Sequence, residues 1–422
     1  MNFLPAPLRI PAFRAYWIAR LAATIAQTSM VIVIGWQVYD IARETMGIQA
    51  AALRLGLIGV VQFVPLFALS LVAGWVADRV DRRHVARLAL LLEVACAAAL
   101  AFANWFDLIS LWWLYGVAAL LGVARAFAGP ALGALAPNLV PRAILPNAIA
   151  LSSIAWQAGT VVGPAVGGYL LAASPSAPYA VSAFLFSLAV IGLFRIGPVE
   201  RPVIDRSSGP WSQVGDGLRY VRRNRLVLGA ISLDLFAVLL GSATAMLPIF
   251  ARDILHTGPE GLGHLRAAPA VGATLTAIWF TFRPLKYNVG AKMLVAVAIF
   301  GAATVAFGLS RSIPLSLAFL FILGAADMLS VYVRQSLIQI HTPDAMRGRV
   351  GAVSTLFISA SNELGEAESG FLAALVGPVI AVVGGGIGAI AVVALWAWRF
   401  PELRLATSFD PPDVVDPAAR EL

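Results

Sequence analysis

Runs of about 20 apolar residues recur along the whole chain, and this pattern restricts the fold more than any other feature. Each run is long enough to cross a bilayer core of ~30 Å as a helix. Apolar residue types make up 60% of the 422 residues, charged residues make up only 12%, and the mean hydropathy is +0.84. A water-soluble chain of this length could not solvate itself with so few charges. The sequence therefore predicts a polytopic membrane protein.

Twelve spans are predicted by reading for apolar runs bounded by charges, glycine or proline. Lipid offers no partner to a free backbone N–H or C=O group, so each span is expected to be helical. The predicted fold class is an all-α membrane protein with 12 transmembrane helices. The tenth and eleventh spans are the least regular, because acidic residues interrupt or border them. The predicted spans are residues 15–38, 55–77, 85–104, 109–130, 147–173, 178–195, 226–250, 263–282, 290–309, 313–333, 349–373 and 376–398.

The placement of Lys and Arg predicts the orientation of the chain. With a cytoplasmic N-terminus, five of the 30 basic residues fall outside, two are embedded and the others lie inside. Because basic residues accumulate in cytoplasmic loops, both termini are predicted to be cytoplasmic, in a bacterial inner membrane. The same rule accounts for the net charge of +8, so no nucleic-acid partner is expected. The outer residues are Arg43, Arg54, Arg252, Arg266 and Arg311, and the embedded residues are Arg20 and Arg125.

The longest polar interruption divides six predicted spans from six. It gives a six-helix bundle over residues 1–196, a cytoplasmic linker over 197–225, a second bundle over 226–400 and a cytoplasmic tail over 401–422. The linker ends in a segment, Trp211 to Arg225, whose pattern favours a short amphipathic helix at the membrane interface.

The two halves resemble each other weakly. Tyr39-Asp40-Ile41 ends the first span, and Arg252-Asp253-Ile254 ends the seventh. Two pseudo-symmetric halves with a substrate site at their interface are one architecture of secondary transporters. The repeat therefore supports two six-helix bundles.

Three local patterns suggest mechanism. The loop between spans two and three alternates acidic and basic residues, and it is either a basic membrane anchor or a functional turn. An arginine in span four lies at membrane depth, where it must face a cavity or a counter-charge unless it extends to the interface. Span five spaces glycines four apart around a proline, which favours close helix packing and a kink. The residues are Gly74, Asp78, Arg79, Arg82 and Arg83 in the loop, Arg125 in span four, and Gly159, Gly163, Pro164, Gly167 and Gly168 in span five.

These patterns resemble signatures of the major facilitator superfamily. The loop is similar to G-x-x-x-D-R-x-G-R-R, except that Asp81 replaces the second glycine and puts the turn geometry there in question. The resemblance implies that the loop gates alternation between inward-open and outward-open states, and that Arg125 takes part in proton coupling. Span five matches G-x-x-x-G-P-x-x-G-G, a signature of the proton-coupled exporter branch. The segments Leu8 to Trp17 and Pro146 to Ser152 resemble the enterobactin-exporter-like subgroup.

Embedded charges are the predicted coupling or cavity groups. An isolated ionised carboxylate in a low dielectric must pair, face water or bind a proton. One hypothesis is that Arg20 with Asp234, or Arg125 with Asp327, forms a charge pair across the cavity that proton or substrate binding breaks. Fixed structural pairs or separate interfacial contacts are the equal alternative. Glu363 and Glu366 lie three residues apart on one helical face. Candidate substrate contacts are Gln27, Trp36 and Gln157, each of which otherwise serves helix packing.

The sequence predicts a secondary transporter that exports small amphipathic molecules, drug-like or siderophore-like, by proton antiport with alternating access. The alternatives are an uptake carrier or facilitator of the same fold and, from another class, a membrane-embedded enzyme or receptor. The four histidines are dispersed and the single cysteine, Cys96, lies in an apolar run, so neither catalysis, a metal site nor a cofactor is expected. The expected partners are the substrate, the proton and the lipid bilayer, and the protein is expected to be a monomer.

Overall fold

A computed structural model describes residues 5–198 and 210–409, apart from some side chains within them, and those residues form helices joined by short loops. The first half contains α1 to α6, and the second half contains α7 to α15 with a π-helical turn, Phe250–Ile254, after α9. The helices are α1 (Pro11–Thr45), α2 (Ile48–Arg79), α3 (Arg82–Trp105), α4 (Leu111–Leu135), α5 (Leu145–Ala173), α6 (Ala177–Phe194), α7 (Pro210–Arg223), α8 (Arg225–Leu240), α9 (Leu247–Ile249), α10 (Gly258–Phe282), α11 (Val289–Leu309), α12 (Ile313–His341), α13 (Asp344–Val376), α14 (Pro378–Arg399) and α15 (Pro401–Arg404).

Each predicted span except the seventh coincides with one long helix; the seventh, 226–250, is divided, because α8 ends at Leu240 and short helical turns follow it. Ten of the helical segments in the described residues are long and apolar enough to cross a membrane. The two that fall short are α10 and α13, which correspond to the predicted spans 263–282 and 349–373. Both carry charged residues in their N-terminal halves, and α13 also carries glutamates farther along its length. The all-α membrane fold is therefore confirmed, while the count of twelve spans stays a prediction.

Local chemistry explains where several helices begin and end. Ser110 and Asn224 cap α4 and α8, each accepting a hydrogen bond from a backbone N–H three residues later. Gly377 separates α13 from α14 with a φ of +90°, a conformation that strains any residue with a Cβ atom. Pro378 then starts α14, where its missing N–H has no helical partner to lose.

Close contacts divide the chain into two units, and the first contains α1 to α6. It comprises Met1–Ser207 together with Leu247–Ala270, so the π-helical turn and the first half of α10 pack with this unit. Inside it, α1 lies along α5 and α6, α2 lies along α4, and α3 contacts α4 and α6. Fully buried Phe13, Tyr16, Tyr39, Tyr179 and Phe186 fill the space between these helices.

The second unit comprises Ser208–Met246 and Val271–Leu422. Here α11 packs against α12 and α14, α8 packs against α13 and α14, and α7 lies on α13. One core cluster joins α8, α11, α12 and α14 through residues such as Leu233, Met293, Leu337 and Val392. A smaller cluster around Val221 and Val353 attaches the amphipathic α7 to α13. The predicted domain boundaries at 196 and 225 stay a prediction.

Large apolar side chains also cover outward-facing helix surfaces in both units. Leu88, Phe184 and Ile380 are all more than 60% exposed, and Trp112 is 84% exposed. A water-soluble protein rarely exposes so much contiguous apolar surface. In a bilayer these side chains contact lipid, as the composition predicted.

Candidate transport site

The span-five glycines place α5 in backbone contact with α1. A Cβ atom on Gly159 would lie 2.6 Å from Thr24, and one on Gly163 would lie 2.7 Å from the Ile25 carbonyl oxygen. Thr28 donates a hydrogen bond of 3.1 Å to the Gly159 carbonyl, which closes the same contact. Small residues at this spacing therefore set how closely the two helices approach.

Two further residues of the span-five run extend this packing. A Cβ atom on Gly167 would lie 2.7 Å from Ser29 Oγ of α1. Gly168 points to a different neighbour, because its Cβ atom would meet the Pro259 carbonyl oxygen at 2.6 Å, in the first turn of α10. Pro164 is buried within α5, and its carbonyl approaches Gly263 of α10. One short stretch of α5 thus contacts two helices through backbone atoms.

The charged loop between α2 and α3 holds its turn with an internal ion pair. Asp81 caps α3 by accepting from the Arg83 backbone N–H at 2.9 Å, and the Arg83 guanidinium donates to both carboxylate oxygens. These bonds lower the pKa of Asp81 from its usual value to about 2. Asp81 has a φ of −59°, so this position requires no glycine.

Two arginines after this turn bind the end of α6. Arg83 donates to the Ile196 carbonyl at 3.1 Å, and Arg87 donates to the Leu193 carbonyl at 2.7 Å. Cations at a helix C-terminus satisfy free carbonyls and interact favourably with the helix dipole. Arg82 is half-buried beside them. Gly74, Asp78 and Arg79 lie in the last turns of α2, and their side chains lie outside the described residues.

Arg125 of α4 lies beside polar groups of two neighbouring helices. Its Nη1 donates to Gln62 Oε1 of α2 at 2.9 Å, and the carboxylate of Glu93 on α3 acts on it electrostatically. Gln62 and Glu93 are both buried, and a Cβ atom on Gly122 would lie 2.6 Å from the Gln62 carbonyl. The arginine at membrane depth therefore has a polar and acidic environment, as its cost in lipid requires.

Arg20 of α1 takes part in a second polar network. Its Nη1 donates to the Tyr16 hydroxyl at 3.2 Å, and that buried hydroxyl contacts Ser152 Oγ and the Leu132 carbonyl at 3.0 Å each. The buried Nε of Arg20 has no hydrogen-bond partner among the described atoms. The pairing of Arg20 with Asp234, or of Arg125 with Asp327, stays a prediction.

The predicted substrate contacts differ in exposure. Trp36 is buried, whereas Gln27 and Gln157 are half-buried. These exposures do not show that any of the three side chains contacts the substrate, so their role stays a prediction.

An ionic cluster that the sequence did not predict fixes the π-helical turn to the end of α1. Arg43 donates to both oxygens of Asp253, at 3.1 and 3.3 Å, and the buried Tyr39 hydroxyl donates to the same carboxylate. Arg252 forms an ion pair with Asp40 and donates to the Asp40 carbonyl at 2.8 Å. The two segments that were matched as a repeat therefore contact each other through an ion pair and a hydrogen bond.

The second unit contains a buried ion pair between Asp234 of α8 and Arg334 of α12. Their side chains are only 7% and 4% exposed, so the pair is shielded from solvent. Arg334 was missed from sequence because the predicted tenth span ended at residue 333, where the apolar run stops, whereas α12 continues to His341. Its spacing of seven residues from Asp327 was the available signal, because residues seven apart share a helical face.

Asp327, about two helical turns before Arg334, lines a small cavity with Asp234 and Ser330. On α13, Glu363 is buried and Glu366 is half-buried, and the coupling role predicted for them stays a prediction.

Comparison with known proteins identifies relatives over nearly the whole chain. A family model described as "Transmembrane secretion effector" matches residues 4–414. The enterobactin exporter EntS of an Escherichia coli O1:K1 strain is 28% identical over 410 residues, which cover 93% of each protein. EntS of Citrobacter koseri is 28% identical over 424 residues, covering 97% of this chain and 96% of the relative.

Solved transporter structures share the fold. A bacterial homologue of the human lysosomal transporter Spinster, in an inward-facing and occupied conformation, has a TM-score of 0.69 at 16% identity and covers 96% of this chain and 97% of its own. The inward-open xylose transporter XylE from E. coli has a TM-score of 0.69 at 13% identity and covers 92% of this chain and 96% of its own. These likenesses confirm the predicted major facilitator fold.

Proposed function

Because the chain belongs to the transmembrane secretion effector family of the major facilitator superfamily, we propose that it exports a siderophore-like molecule from the cytoplasm in exchange for protons. The protein is a multi-pass inner-membrane transporter of small molecules, and we assign no chemical reaction to it. The observation that carries the choice of substrate class is the 28% identity to enterobactin exporters over 93% of both chains.

The packing of α5 supports the direction of transport. Every glycine in the run that resembles the exporter signature lies at a close helix contact. Gly159, Gly163 and Gly167 contact α1, and Gly168 contacts α10. The resemblance of this helix to the signature of the proton-coupled exporter branch favours export over uptake. The charged loop around Asp81 and Arg83 is assigned the gating role between the inward-open and outward-open states.

Proton antiport is supported by charged groups buried inside both units. Glu93 beside Arg125 is buried, and the half-buried Asp327 lines a small cavity together with Asp234 of the Asp234–Arg334 pair. Such acids are candidates for proton exchange, because burial penalises their charged form. Glu363 and Glu366 remain further candidates in this proposal.

Everted membrane vesicles provide the test of transport. Vesicles containing the protein are energised so that their lumen becomes acidic, and enterobactin is added outside as the probe. We expect the probe to accumulate in the lumen and to leak out when an uncoupler is added. Vesicles made without the protein are the control. Accumulation that is insensitive to the uncoupler, or no accumulation beyond the control, contradicts proton-driven export of this substrate class.

We also propose that both termini lie in the cytoplasm and that the protein acts as a monomer. The excess of basic residues on one predicted side of the membrane supports the orientation. A protease-sensitive tag placed at either end should be cleaved in everted vesicles and protected in intact spheroplasts. Opposite protection of the two tags would contradict the topology.

The mass of the protein in nanodiscs, measured by light scattering, tests whether it is a monomer.

A further inference from the structure

One face of α12 presents three functional groups toward α8. Asp327, Ser330 and Arg334 lie three and seven residues apart, which aligns them along one side of the helix. Asp234 of α8 forms an ion pair with the last of them. Acidic and guanidinium groups are rare inside a membrane helix, and their alignment on one face indicates a functional site.

A cavity lies between these groups and the apolar side chains of α8 and α11. Its volume is about 10 Å³, which is close to the smallest space that holds one water molecule. A water needs polar partners as well as room, and the cavity provides two carboxylates and a hydroxyl. Its lining residues are Asp234, Ala237, Val238, Val297, Phe300, Asp327 and Ser330.

Three buried polar atoms here have no hydrogen-bond partner among the described atoms. They are Ser330 Oγ, in a residue only 2% exposed, and Nε and Nη1 of Arg334, in a residue only 3% exposed. Of these, Nη1 of Arg334 lies in the ion pair with Asp234. An unsatisfied buried donor is costly, so such atoms normally indicate a water or another ligand. The hydroxyl lines the cavity, and a water held there would satisfy it.

The charges around the cavity do not balance when every group is ionised. Asp234 and Arg334 neutralise each other, whereas Asp327 has no ion pair or hydrogen bond in the described part of the chain. On the neighbouring helices, the only charged residue of α11 is Lys292, which is exposed in its first turn. The part of α10 that approaches α12, residues 271–282, contains no titratable residue. A bound proton on Asp327 would remove the excess negative charge.

We propose that Asp327 is the residue that binds the exchanged proton, with one water held by Ser330 and with the Asp234–Arg334 pair as a fixed neighbouring dipole. This assignment rests on the proposed function and gives its proton step a location. In the step, a proton is transferred from water to a carboxylate oxygen of Asp327, where an O–H bond forms. The same bond breaks when the proton is returned to water on the other side of the membrane. No other covalent bond changes.

Purified protein in proteoliposomes tests the assignment, with enterobactin as the transported probe. An imposed difference of one pH unit sustains an about tenfold concentration ratio in one-for-one exchange, since one pH unit is a tenfold change in proton activity. We expect the wild type to approach that ratio and Asp327→Asn to reach a ratio of about one. Exchange of probe without a pH gradient should continue in the variant within about twofold. Asp107→Asn is the matched control, because Asp107 is an exposed acid whose left-handed conformation suits asparagine.

The outcomes separate the assignment from the proposed function. If Asp327→Asn still concentrates the probe as the wild type does, the assignment is overturned. If the folded variant loses gradient-free exchange as well, Asp327 has a structural role and the assignment also fails. If the wild type itself does not respond to the gradient, the proposed function fails first.

A measurement on the unmodified protein guards against a variant that does not fold. An apolar carbodiimide reacts with protonated carboxyl groups inside membranes, and mass spectrometry locates the modified residue. We expect modification at Asp327 that decreases as the pH is raised, with Asp234 unmodified because its carboxylate is held by Arg334. Modification of Asp234 in preference to Asp327 would overturn the assignment.

Discussion

At the scale of single residues, close packing of α1 and α5 depends on positions that lack a side chain. A Cβ atom on Gly163 would lie 1.9 Å from Thr28 Oγ1 and 2.7 Å from a backbone oxygen of α1. The side chain of Thr28 can rotate away, but the backbone oxygen can move only if the helix moves. The repeated glycines therefore fix the separation of α1 and α5.

Replacing Gly163 with alanine should separate these two helices. We expect Gly163→Ala to lower the free energy of unfolding by about 1–3 kcal/mol, which is typical of an overpacked interface. Thermal unfolding of the purified protein in detergent measures the effect. Gly116→Ala is the matched control, because Gly116 of α4 is exposed and no heavy atom lies within 4 Å of its added methyl group. Equal unfolding temperatures in the two variants would contradict the packing argument.

Asp81 gives the loop between α2 and α3 a defined dependence on pH. Its pKa is about 2 in the folded protein, against an ordinary value of 3.8, because Arg83 hydrogen-bonds to the ionised carboxylate. A lowered pKa means that the stabilisation is complete above pH ~4 and disappears as the pH falls toward ~2. The shift corresponds to roughly 2 kcal/mol.

The variant Asp81→Asn should therefore be less stable than the wild type at neutral pH. The difference in unfolding temperature should shrink as the pH is lowered from about 4 to about 2, where the wild-type carboxyl becomes neutral too. Thermal unfolding across this pH range measures both proteins. A difference that stays constant would show that the ion pair with Arg83 does not stabilise the turn.

At the scale of helices, the ionic cluster at the end of α1 holds the π-helical turn against that helix. The π-helical turn Phe250–Ile254 interrupts regular helix, and its two charged residues bind Asp40 and Arg43 of α1. Reciprocal pairs of this kind hold a segment at one position and orientation. Because the pairs are half-buried, each is stronger than an exposed surface pair.

Removing the charge of Asp253 should loosen this turn. Asp253→Asn leaves Arg43 and Tyr39 without their common ionised acceptor, and we expect a loss of about 2 kcal/mol, typical of hydrogen bonds to a charged group. Faster hydrogen exchange in residues 250–254 would locate the effect. The control is Glu44→Gln, which neutralises an exposed acid on the last turn of α1. Unchanged exchange in the Asp253 variant would mean that the cluster does not hold the turn.

The helices were largely predictable from sequence, whereas their partners were not. Apolar runs locate helices because lipid requires both apolar side chains and internal hydrogen bonds. The same criterion ended the tenth span before Arg334, since a charge marks the boundary of a run, although the helix continues and buries that charge against Asp234. Which side chains meet depends on how helices pack, and a single sequence contains no direct record of that.

The motifs of the charged loop and of span five could be located from the sequence for a different reason. Gly159, Gly163 and Gly167 are defined by spacing along one helix, and spacing is readable from sequence. Asp81 shows the limit of this reasoning: it departs from the family pattern, yet its side chain caps α3 and binds Arg83. Asp81 thus gives the turn a defined conformation through its hydrogen bonds to Arg83, at a position where the family pattern has glycine.

At the scale of the whole molecule, apolar surface and buried charge have separate roles. The apolar exterior places the chain in the membrane, while the few embedded acids and arginines lie in small polar networks within each unit. A structural protein would gain little from such groups, because replacing buried ion pairs with apolar residues is often neutral or stabilising. Their presence is explained if they exchange protons during transport.

Proton movement caused by the siderophore is the most direct test of this account. A pH-sensitive dye is enclosed in energised everted vesicles containing the protein, and the luminal pH is followed after the siderophore is added outside. Antiport predicts that the lumen becomes more alkaline as the siderophore enters, and that Asp327→Asn abolishes the change while Asp107→Asn retains it. A lumen that becomes more acidic, or a siderophore that enters without any change in pH, would contradict proton-driven export.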